Sequence, residues 1–344
     1  MKILITGITG QDGAWLAKKL LDDGHEIYGA VRRGSTPKTG RLDYLGITPK
    51  INLIPLEITE FSNVFRTIST IKPNQIFNLA AQSFVQDSFA HPLLTAQINY
   101  LGVQNLLESI NLTGLDCAFY QASTSEMFGD VLSDPQSEST PFNPLSPYAV
   151  SKCAAHHAVV NYRAAFGLHG STGILFNHES ELRGREFVTR KITFSLAEFH
   201  IGRKDPIKLG NLSSVRDWGY APDYVDAMIL MINAKESDDY VVATNNAITV
   251  RDFFKKAASH IGFDPVFEGE GVKEFCIDAK TGKKLCEVNE QFYRPSDVVY
   301  LRGDYSKIET RLGWKPKTSV DELAKIMISF DLNVSMGKIK DFGI

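Results

Sequence analysis

The sequence lacks the features that mark several classes of protein. Its four cysteines are scattered and form no C-x-x-C pair, which argues against a zinc site or a disulfide framework. We therefore expect no bound metal. The formal net charge is −3, with no long run of lysine or arginine, so neither nucleic acid nor an anionic membrane is expected as a partner. No apolar stretch reaches the roughly 18–20 residues that a membrane span needs.

A signal peptide is also missing from the start of the sequence, where a strand-like run, KILIT, begins at Lys2. Together with scattered cysteines, which suit a reducing compartment, this predicts a cytoplasmic protein. The chain has 344 residues, of which 43% are hydrophobic and 22% charged, as in ordinary soluble globular proteins. This length predicts one large domain or two interlocked domains.

The first half of the chain alternates strand-like runs with helical patterns. The strand-like runs are KILIT, EIYGAV, INLIPL, QIFNLA, CAFYQAS and STGILF. Such alternation predicts an α/β fold, a doubly wound parallel sheet of the Rossmann type, over residues 1–178. The less regular residues 179–344 predict a smaller α/β substrate-binding domain, with some segments returning to the first domain.

A glycine-rich loop, TGITGQDG, follows the first strand-like run and opens a helical pattern. Gly7, Gly10 and Gly13 have the spacing G-x-x-G-x-x-G. Glycines let the backbone approach a pyrophosphate, and the helix N-terminus supplies N–H groups and partial positive charge. The loop therefore predicts dinucleotide binding; the alternative is a glycine-rich turn without a ligand.

The end of the second strand-like run indicates which dinucleotide binds. An NAD site usually carries Asp or Glu there, about 20 residues past the loop, to bind the ribose 2′-hydroxyl. This chain has Arg32 and Arg33 instead. Two guanidinium groups suit a 2′-phosphate, so NADP is the predicted cofactor; the alternative is a solvated surface pair.

Tyr148 and Lys152 lie four residues apart on a predicted helix and therefore share a face. A phenol has a pKa near 10, and a neighbouring ammonium and a positive nicotinamide ring favour its ionised form. Tyr148 can then take a proton from a sugar hydroxyl as hydride leaves the same carbon. Because this spacing is common by chance, a surface helix pair is the alternative.

Eight motifs in order along the chain carry a family resemblance. They are TGITGQDG, LAAQSFV, STSEMFG, YAVSK, LFNHES, FVTRKI, LGNLSSVRDWGYAPDYVDAM and YRPSDV. The sequence resembles the extended short-chain dehydrogenase/reductases, and within them the GDP-mannose 4,6-dehydratases. The resemblance covers nearly the whole chain, and the motifs NHES and RDWG belong to that branch.

The resemblance assigns chemistry to the motif STSEMFG. Thr124 would bond the C4 hydroxyl of the sugar, while Glu126 would take the proton from C5 and help to expel the C6 hydroxyl. Ser125 stands where relatives acting on dTDP-glucose have Asp, so Glu126 would also have to serve as the acid. The implied catalytic set is therefore Thr124, Glu126, Tyr148 and Lys152.

The resemblance also implies two sets of binding residues. The cofactor set is Gly7, Thr9, Gly10, Gln11, Asp12, Gly13, Arg32, Arg33, Glu57, Ile58, Leu79, Ala80, Ala81, Ser83, Tyr148, Lys152, His178 and Arg183. The substrate set is Ser83, Thr124, Ser125, Glu126, Asn177, Val188, Lys191, Leu209, Gly210, Arg216, Arg294 and Asp297. Arginine and lysine suit a diphosphate, and Asp297 would meet the guanine N–H groups.

His156 and His157, which face different ways on a helix, are interpreted as structural.

Two departures from the family pattern fall in the stretch HESELRGREF. Leu182 takes the place of an arginine and Glu181 the place of a proline. Arginines of this loop and of residues 32–41 build a tetramer around the cofactor in the family. We therefore expect a homo-oligomer but leave dimer and tetramer open. The loss of the arginine also raises the alternative of a larger sugar, GDP-manno-heptose.

These observations predict an NADP-dependent hydro-lyase that converts GDP-mannose to GDP-4-keto-6-deoxymannose. The first alternative is the same reaction on GDP-D-glycero-D-manno-heptose. A 4-epimerase or 4-reductase is a more distant alternative, which Glu126 argues against because neither reaction needs a base at C5. The last is a non-catalytic NADP-binding protein, which the intact catalytic set argues against.

Overall fold

The computed structural model describes residues 1–32, 34, 38–131, 133–202, 205–292, 298 and 300–343. The strands are β1 (Lys2–Thr6), β2 (Glu26–Val31), β3 (Asn52–Pro55), β4 (Gln75–Asn78), β5 (Ala118–Thr124), β6 (Gly170–Leu175), β7 (Asn177–Glu179), β8 (Ile207–Leu209), β9 (Val215–Tyr220), β10 (Asp239–Val242), β11 (Ala247–Thr249), β12 (Pro265–Glu268), β13 (Phe275–Asp278) and β14 (Lys284–Val288). The α-helices are α1 (Gln11–Asp22), α2 (Gly40–Tyr44), α3 (Phe61–Ile71), α4 (Val85–Ala90), α5 (Pro92–Ala96), α6 (Gly102–Thr113), α7 (Pro147–Phe166), α8 (Val188–His200), α9 (Ala221–Ile232), α10 (Val250–His260), α11 (Ser306–Leu312) and α12 (Val320–Ser335).

Seven parallel strands form the large sheet, in the order β10-β6-β5-β4-β1-β2-β3. The order reverses between β1 and β4, which creates a crevice at the carboxyl ends of these two strands. The predicted doubly wound α/β fold is confirmed. The edge strand β10 comes from the second half of the chain, and α9 packs against β5 and β6.

Helices cover both faces of the large sheet because its strands are apolar on both sides. Along β1, Ile3 and Ile5 point to the core shared with α1 and α9, whereas Leu4 points to the core shared with α3 and α6. All three side chains are fully buried. A parallel sheet buried on both faces accounts for the near-continuous apolar runs in the sequence.

Among the described residues of the second half, two small sheets and helices α8, α10 and α12 form a second body of structure. The order β11-β9-β7 makes one sheet, and β12-β13-β14-β8 makes the other. Helices α8, α10 and α12 bury a separate apolar core against them. Here Cys276 and Cys286, which are ten positions apart in sequence, lie directly opposite each other on β13 and β14 as buried free thiols.

The helical segment that precedes β5 is irregular. It begins at Pro92 and passes through a π-helical turn at Gln97–Leu101 before α6. In that turn the Asn99 amide donates to the carbonyl oxygen of Gln82 and to Oγ of Ser151, both at 3.1 Å. The π turn thereby ties the loop after β4 to helix α7.

A fully buried ion pair joins α8 to α12. Nε of Arg190 lies 2.8 Å from Oδ1 of Asp331, and both side chains are inaccessible to solvent. The same guanidinium donates to the carbonyl oxygens of Glu181 and Arg183, and Thr193 donates to the carboxylate at 2.6 Å. The pair therefore fixes the loop that follows β7.

No helix in the described parts of the chain is both long and apolar enough to cross a membrane.

We expect Arg190→Met to lower the free energy of unfolding by about 3–5 kcal/mol, because Asp331 would be left buried without a countercharge. Chemical denaturation measures this change. Arg302→Met is the matched control: its partner Asp134 is half exposed, so the change should be small. An equal loss in both variants would contradict the importance of burial. Adding Asp331→Leu to Arg190→Met should restore part of the stability.

Candidate active site

A cleft of about 900 Å³ opens where the carboxyl ends of the large-sheet strands meet the second half of the chain. Its walls come from the loops after β1, β4, β5 and β6, and from α8, β8 and β9. Seventeen of the predicted site residues line it: Asp12, Leu79, Ala81, Ser83, Thr124, Ser125, Glu126, Tyr148, Lys152, Asn177, His178, Arg183, Val188, Lys191, Leu209, Gly210 and Arg216. Ligand sites of open α/β sheets lie at this edge.

The glycine loop leaves no room for a side chain at Gly7 or at Gly13. Gly7 has a φ of 70°, and a Cβ added there would lie 2.8 Å from the backbone of Leu79. A Cβ on Gly13 would collide with the carbonyl oxygen of Gly7. The turn therefore presents bare backbone at the first turn of α1, whose cap at Gly10 has no side-chain hydrogen bond. These features fit a dinucleotide pyrophosphate. Thr9 and Gln11 complete the loop.

Tyr148 and Lys152 lie on one face of α7 and are both buried. The Lys152 ammonium donates to the carbonyl oxygen of Ala122 at 2.9 Å and lies 5.8 Å from the centroid of the Tyr148 ring. Burial raises the pKa of Tyr148 to about 12, although a hydrogen bond with Thr124 opposes the shift. Burial also lowers the pKa of Lys152 to about 8. Burial thus disfavours the charged form of both side chains.

The motif STSEMFG forms the end of β5 and a 3-10 turn beneath the same cleft. Thr124 ends β5, and its hydroxyl accepts a hydrogen bond from the Glu126 backbone N–H at 3.3 Å. Glu126 acts electrostatically on Tyr148, raising its pKa, which places the two side chains close together. A carboxylate, a hydroxyl, a phenol and an ammonium therefore converge on one region of the cleft.

The second half contributes amide and basic groups to the opposite wall. Oδ1 of Asn177 is buried and has no partner within the described structure, so it can accept a hydrogen bond from a ligand. Nζ of Lys191 lies 3.5 Å from the ring centroid of Phe292, which also lines the cleft. Arg216 is buried, and its guanidinium donates to the carbonyl oxygen of Val215 at 3.0 Å.

Several predicted residues lie outside the cleft lining. Arg32 is exposed just after β2, and Glu57 is exposed after β3, while Ile58 is buried beneath Gly102. Ala80 directs its backbone N–H to the Thr6 hydroxyl. Arg33, Arg294 and Asp297 are outside the described residues. Of the two structural histidines, His156 is buried between Ser123 and Thr172, and His157 is exposed.

The suggestion that Leu182 enlarges the sugar pocket finds no basis in the structure. Leu182 is fully buried in the core beside α1 and does not line the cleft. Its carbonyl oxygen accepts a hydrogen bond from Arg41 at 2.6 Å, and the same guanidinium donates to the carbonyl oxygen of Thr9. The substitution therefore gives no reason to expect a larger sugar.

Sequence reasoning missed the aromatic residues of the cleft. The Arg183 guanidinium lies 3.6 Å from the ring centroid of Phe187, and Phe292 receives Lys191 in the same way. Both rings lie in or next to loops, where no periodic pattern marks them. A basic residue near an aromatic residue in sequence, as in RGREF, is the available signal, and it is a weak one.

Comparison with known proteins decides the family. Residues 4–327 match the family model described as GDP-mannose 4,6 dehydratase. The chain belongs to the GDP-mannose 4,6-dehydratase family. The GDP-mannose 4,6-dehydratase of Yersinia enterocolitica is 42% identical over 348 residues, covering 96% of this chain and 94% of that protein. The human GDP-mannose 4,6 dehydratase is 43% identical, covering 96% of this chain and 91% of that protein. The predicted family is confirmed, and with it the predicted dehydratase class.

Solved structures share the fold at lower identity. A UDP-glucose 4-epimerase from Thermotoga maritima matches with a TM-score of 0.81 and 24% identity, covering 96% of this chain and 98% of that one. A dTDP-glucose 4,6-dehydratase from Bacillus anthracis, solved with NAD, matches with a TM-score of 0.78 and 19% identity, covering 96% of both chains. These likenesses confirm the Rossmann-type architecture.

Proposed function

We propose that this chain dehydrates GDP-mannose to GDP-4-keto-6-deoxymannose and uses NADP. The observation that carries the proposal is the presence of Glu126 in the same cleft as Thr124, Tyr148 and Lys152. A 4-epimerase or 4-reductase needs Tyr148 and Lys152, but neither reaction needs a base at C5. Relatives named for this reaction at 42–44% identity support the sugar assignment, and no comparison favours the heptose. We assign cofactor binding mainly to residues 1–178 and GDP-sugar binding mainly to residues 179–344.

Each catalytic side chain has a defined task in this proposal. A bound dinucleotide would supply the hydride acceptor for C4 of the sugar and the hydride donor for C6. Tyr148 takes the proton of the C4 hydroxyl, and the Lys152 ammonium stabilises the phenolate. Thr124 orients that hydroxyl. Glu126 removes the C5 proton, which the C4 ketone has acidified, and gives it to the C6 hydroxyl, which leaves as water. Glu126 then takes up a solvent proton and delivers it to C5, while Tyr148 releases to solvent the proton that it took from the C4 hydroxyl.

The choice of NADP rests on Arg32 and Arg33, which stand where an NAD site carries an acidic residue. Arg32 is exposed just after β2, on the side of the sheet where the glycine loop opens. A guanidinium there can pair with a 2′-phosphate. The glycine loop, Leu79, Ala81 and Ser83 would hold the rest of the dinucleotide.

A homo-oligomer, dimer or tetramer, also belongs to the proposal. Leu94 and Leu101 on the helical segment from Pro92 to Thr113, and Val150 on α7, expose about half of their side-chain surface on neighbouring helices. Apolar side chains grouped in this way favour a protein partner. Light scattering in solution tests this point. A cytoplasmic location remains our prediction from the sequence.

We expect Arg32→Asp combined with Arg33→Ala to weaken NADP binding far more than NAD binding. Losing one charged hydrogen bond to the 2′-phosphate should cost about 1.5–3 kcal/mol of binding free energy. Calorimetric titration with both dinucleotides measures the difference. Arg66→Asp, on the exposed face of α3, is the matched control and should change neither affinity. Equal weakening of both dinucleotides would show that these arginines do not recognise the 2′-phosphate.

Tyr148→Phe and Glu126→Gln should stop the reaction at different stages. Without the phenol no group accepts the C4 proton, so substrate should cause no reduction of bound cofactor. With Glu126→Gln, reduction should proceed while the sugar keeps its water. Single-turnover absorbance follows the first stage, and the mass of the sugar nucleotide follows the second. Identical absence of reduction in both folded variants would contradict the proposed division of roles.

An isotope experiment tests the whole reaction. Deuterium placed at C4 of GDP-mannose should appear at C6 of the product, and product made in heavy water should carry one solvent deuterium, at C5. Catalytic amounts of NADP should suffice, and labelled and unlabelled substrates should not exchange deuterium. Stoichiometric accumulation of NADPH would instead indicate a simple dehydrogenase.

A further inference from the structure

The motif RDWG contains a carboxylate that the proposed reaction leaves without a task. Asp217 of β9 is inaccessible to solvent. Its Oδ1 atom accepts hydrogen bonds from the backbone N–H of Thr244 at 2.9 Å and from the hydroxyl of the same residue at 2.5 Å. Its Oδ2 atom accepts one from the backbone N–H of Gly303 at 3.2 Å. The carboxylate therefore joins β9 to two segments that are 27 and 86 residues away in sequence.

The second of these segments, residues 300–303, runs beside β9 and is called the docked segment below. Tyr300 pairs with Val215 as an isolated parallel bridge. The backbone N–H of Leu301 donates to the carbonyl oxygen of Val215 at 3.3 Å. Two backbone contacts and the Asp217 carboxylate thus hold this segment against the first half of β9.

The surroundings of the docked segment leave it little freedom elsewhere. A Cβ added to Gly303 would lie 2.3 Å from the Cβ of Ala243. On the other side, Gln136 binds Arg302 twice: its Oε1 accepts from the Arg302 N–H, and its own N–H donates to the Arg302 carbonyl oxygen, both at 2.9 Å. Gln136 would still hold the segment if the carboxylate of Asp217 were lost, so a variant at Asp217 is expected to fold.

The carbonyl oxygen of Val215 is shared with a side chain of the cleft. Nη1 of Arg216 donates to it at 3.0 Å, beside the bond from Leu301. Arg216 is buried and lines the cleft. Because successive side chains of a strand point to opposite faces, Arg216 reaches the cleft while Asp217 points away from it. The docked segment therefore fixes the peptide group against which this guanidinium is oriented.

We propose that Asp217 is a positioning residue: by binding Gly303 it holds the docked segment on β9, and the segment in turn orients the Arg216 guanidinium toward the diphosphate of the sugar nucleotide. The proposal rests on the proposed function, which supplies the diphosphate. A guanidinium binds a phosphate through paired N–H groups in a fixed plane, so its orientation decides the strength of the contact. Asp217 itself touches neither substrate nor cofactor and acts through Arg216.

A double-mutant cycle tests whether Asp217 acts through Arg216. The probe is GDP, whose affinity for the full chain is measured by calorimetric titration. In Asp217→Asn the side-chain NH2 group faces either the N–H of Gly303 or the donors of Thr244, so one set of bonds is lost. We expect this variant to bind GDP about ten-fold more weakly, and Arg216→Met to lose at least as much affinity. The double variant should lose no more than Arg216→Met alone, because the contact that Asp217 supports has already gone.

Asp223→Asn is the matched control for stability. Asp223 of α9 is also a buried carboxylate that accepts backbone N–H groups, from Lys317 at 3.0 Å and from Thr318 at 2.9 Å, but it does not line the cleft. We expect this variant to unfold at a lower temperature and to keep its GDP affinity. An equal loss of GDP affinity in both Asn variants would overturn the proposal. Additive losses in the double-mutant cycle would also overturn it, as would an unchanged affinity in Asp217→Asn or in Arg216→Met.

A second measurement uses the unaltered chain and needs no variant to fold. Because coupling between two sites is reciprocal, GDP should hold the docked segment on β9 just as the segment supports GDP binding. We expect saturating GDP to slow hydrogen exchange of the Leu301 and Gly303 amides about ten-fold and to leave those of Lys317 and Thr318 unchanged. Unchanged exchange at Leu301 and Gly303 would contradict the proposal. If the binding and exchange results hold while GDP-mannose gives no turnover, the proposed function fails and the positioning role of Asp217 stands.

Discussion

The close contact between two backbone turns is the constraint on which the site depends. Gly7, after β1, touches the backbone after β4 so closely that a single methyl group would not fit between them. This contact lies at the reversal of strand order, where the crevice of a doubly wound sheet opens. It brings the start of α1 next to Leu79, Ala81 and Ser83. Thr124, a proposed catalytic residue, lies at the end of β5, which pairs with β4 in parallel register.

The ionisable side chains of the cleft fall into two pairs, one in which burial favours the neutral forms and one in which mutual contact favours the charged forms. Tyr148 and Lys152 are buried and resist ionisation, each with its pKa displaced toward the neutral form. In contrast, Nε2 of His178 lies 2.9 Å from Oδ2 of Asp12, and this contact lowers the pKa of Asp12 and raises the pKa of His178, which favours the charged form of each. An apolar environment makes every such interaction stronger than it would be in water. The chemistry of the site is therefore sensitive to small changes in a few charges.

The first half of the fold could be predicted from the sequence because its physics is local. Strands β1 and β2 coincide with the strand-like runs KILIT and EIYGAV. The proposed catalytic residues could be predicted as neighbours because each lies at or just after the carboxyl end of a strand, or on one face of a helix. Contacts between distant parts of the chain could not be predicted from the sequence. The pairs Arg190–Asp331 and Cys276–Cys286 depend on how the small sheets and α12 fold back, which no sequence spacing reveals. For the same reason Leu182 could be interpreted as a pocket residue although it belongs to the core.

The position of the edge strand β10 in the sequence has a consequence for how the protein folds during synthesis. β6 is buried along its whole length, and β10, made 64 residues later, covers its open edge. During synthesis the first 175 residues therefore expose one edge of β6, whose backbone N–H and C=O groups have no partner strand until β10 is made. The first half cannot be cut out as an independent module at residue 178 without leaving an exposed strand edge. The two halves of this chain are in that sense one folding unit.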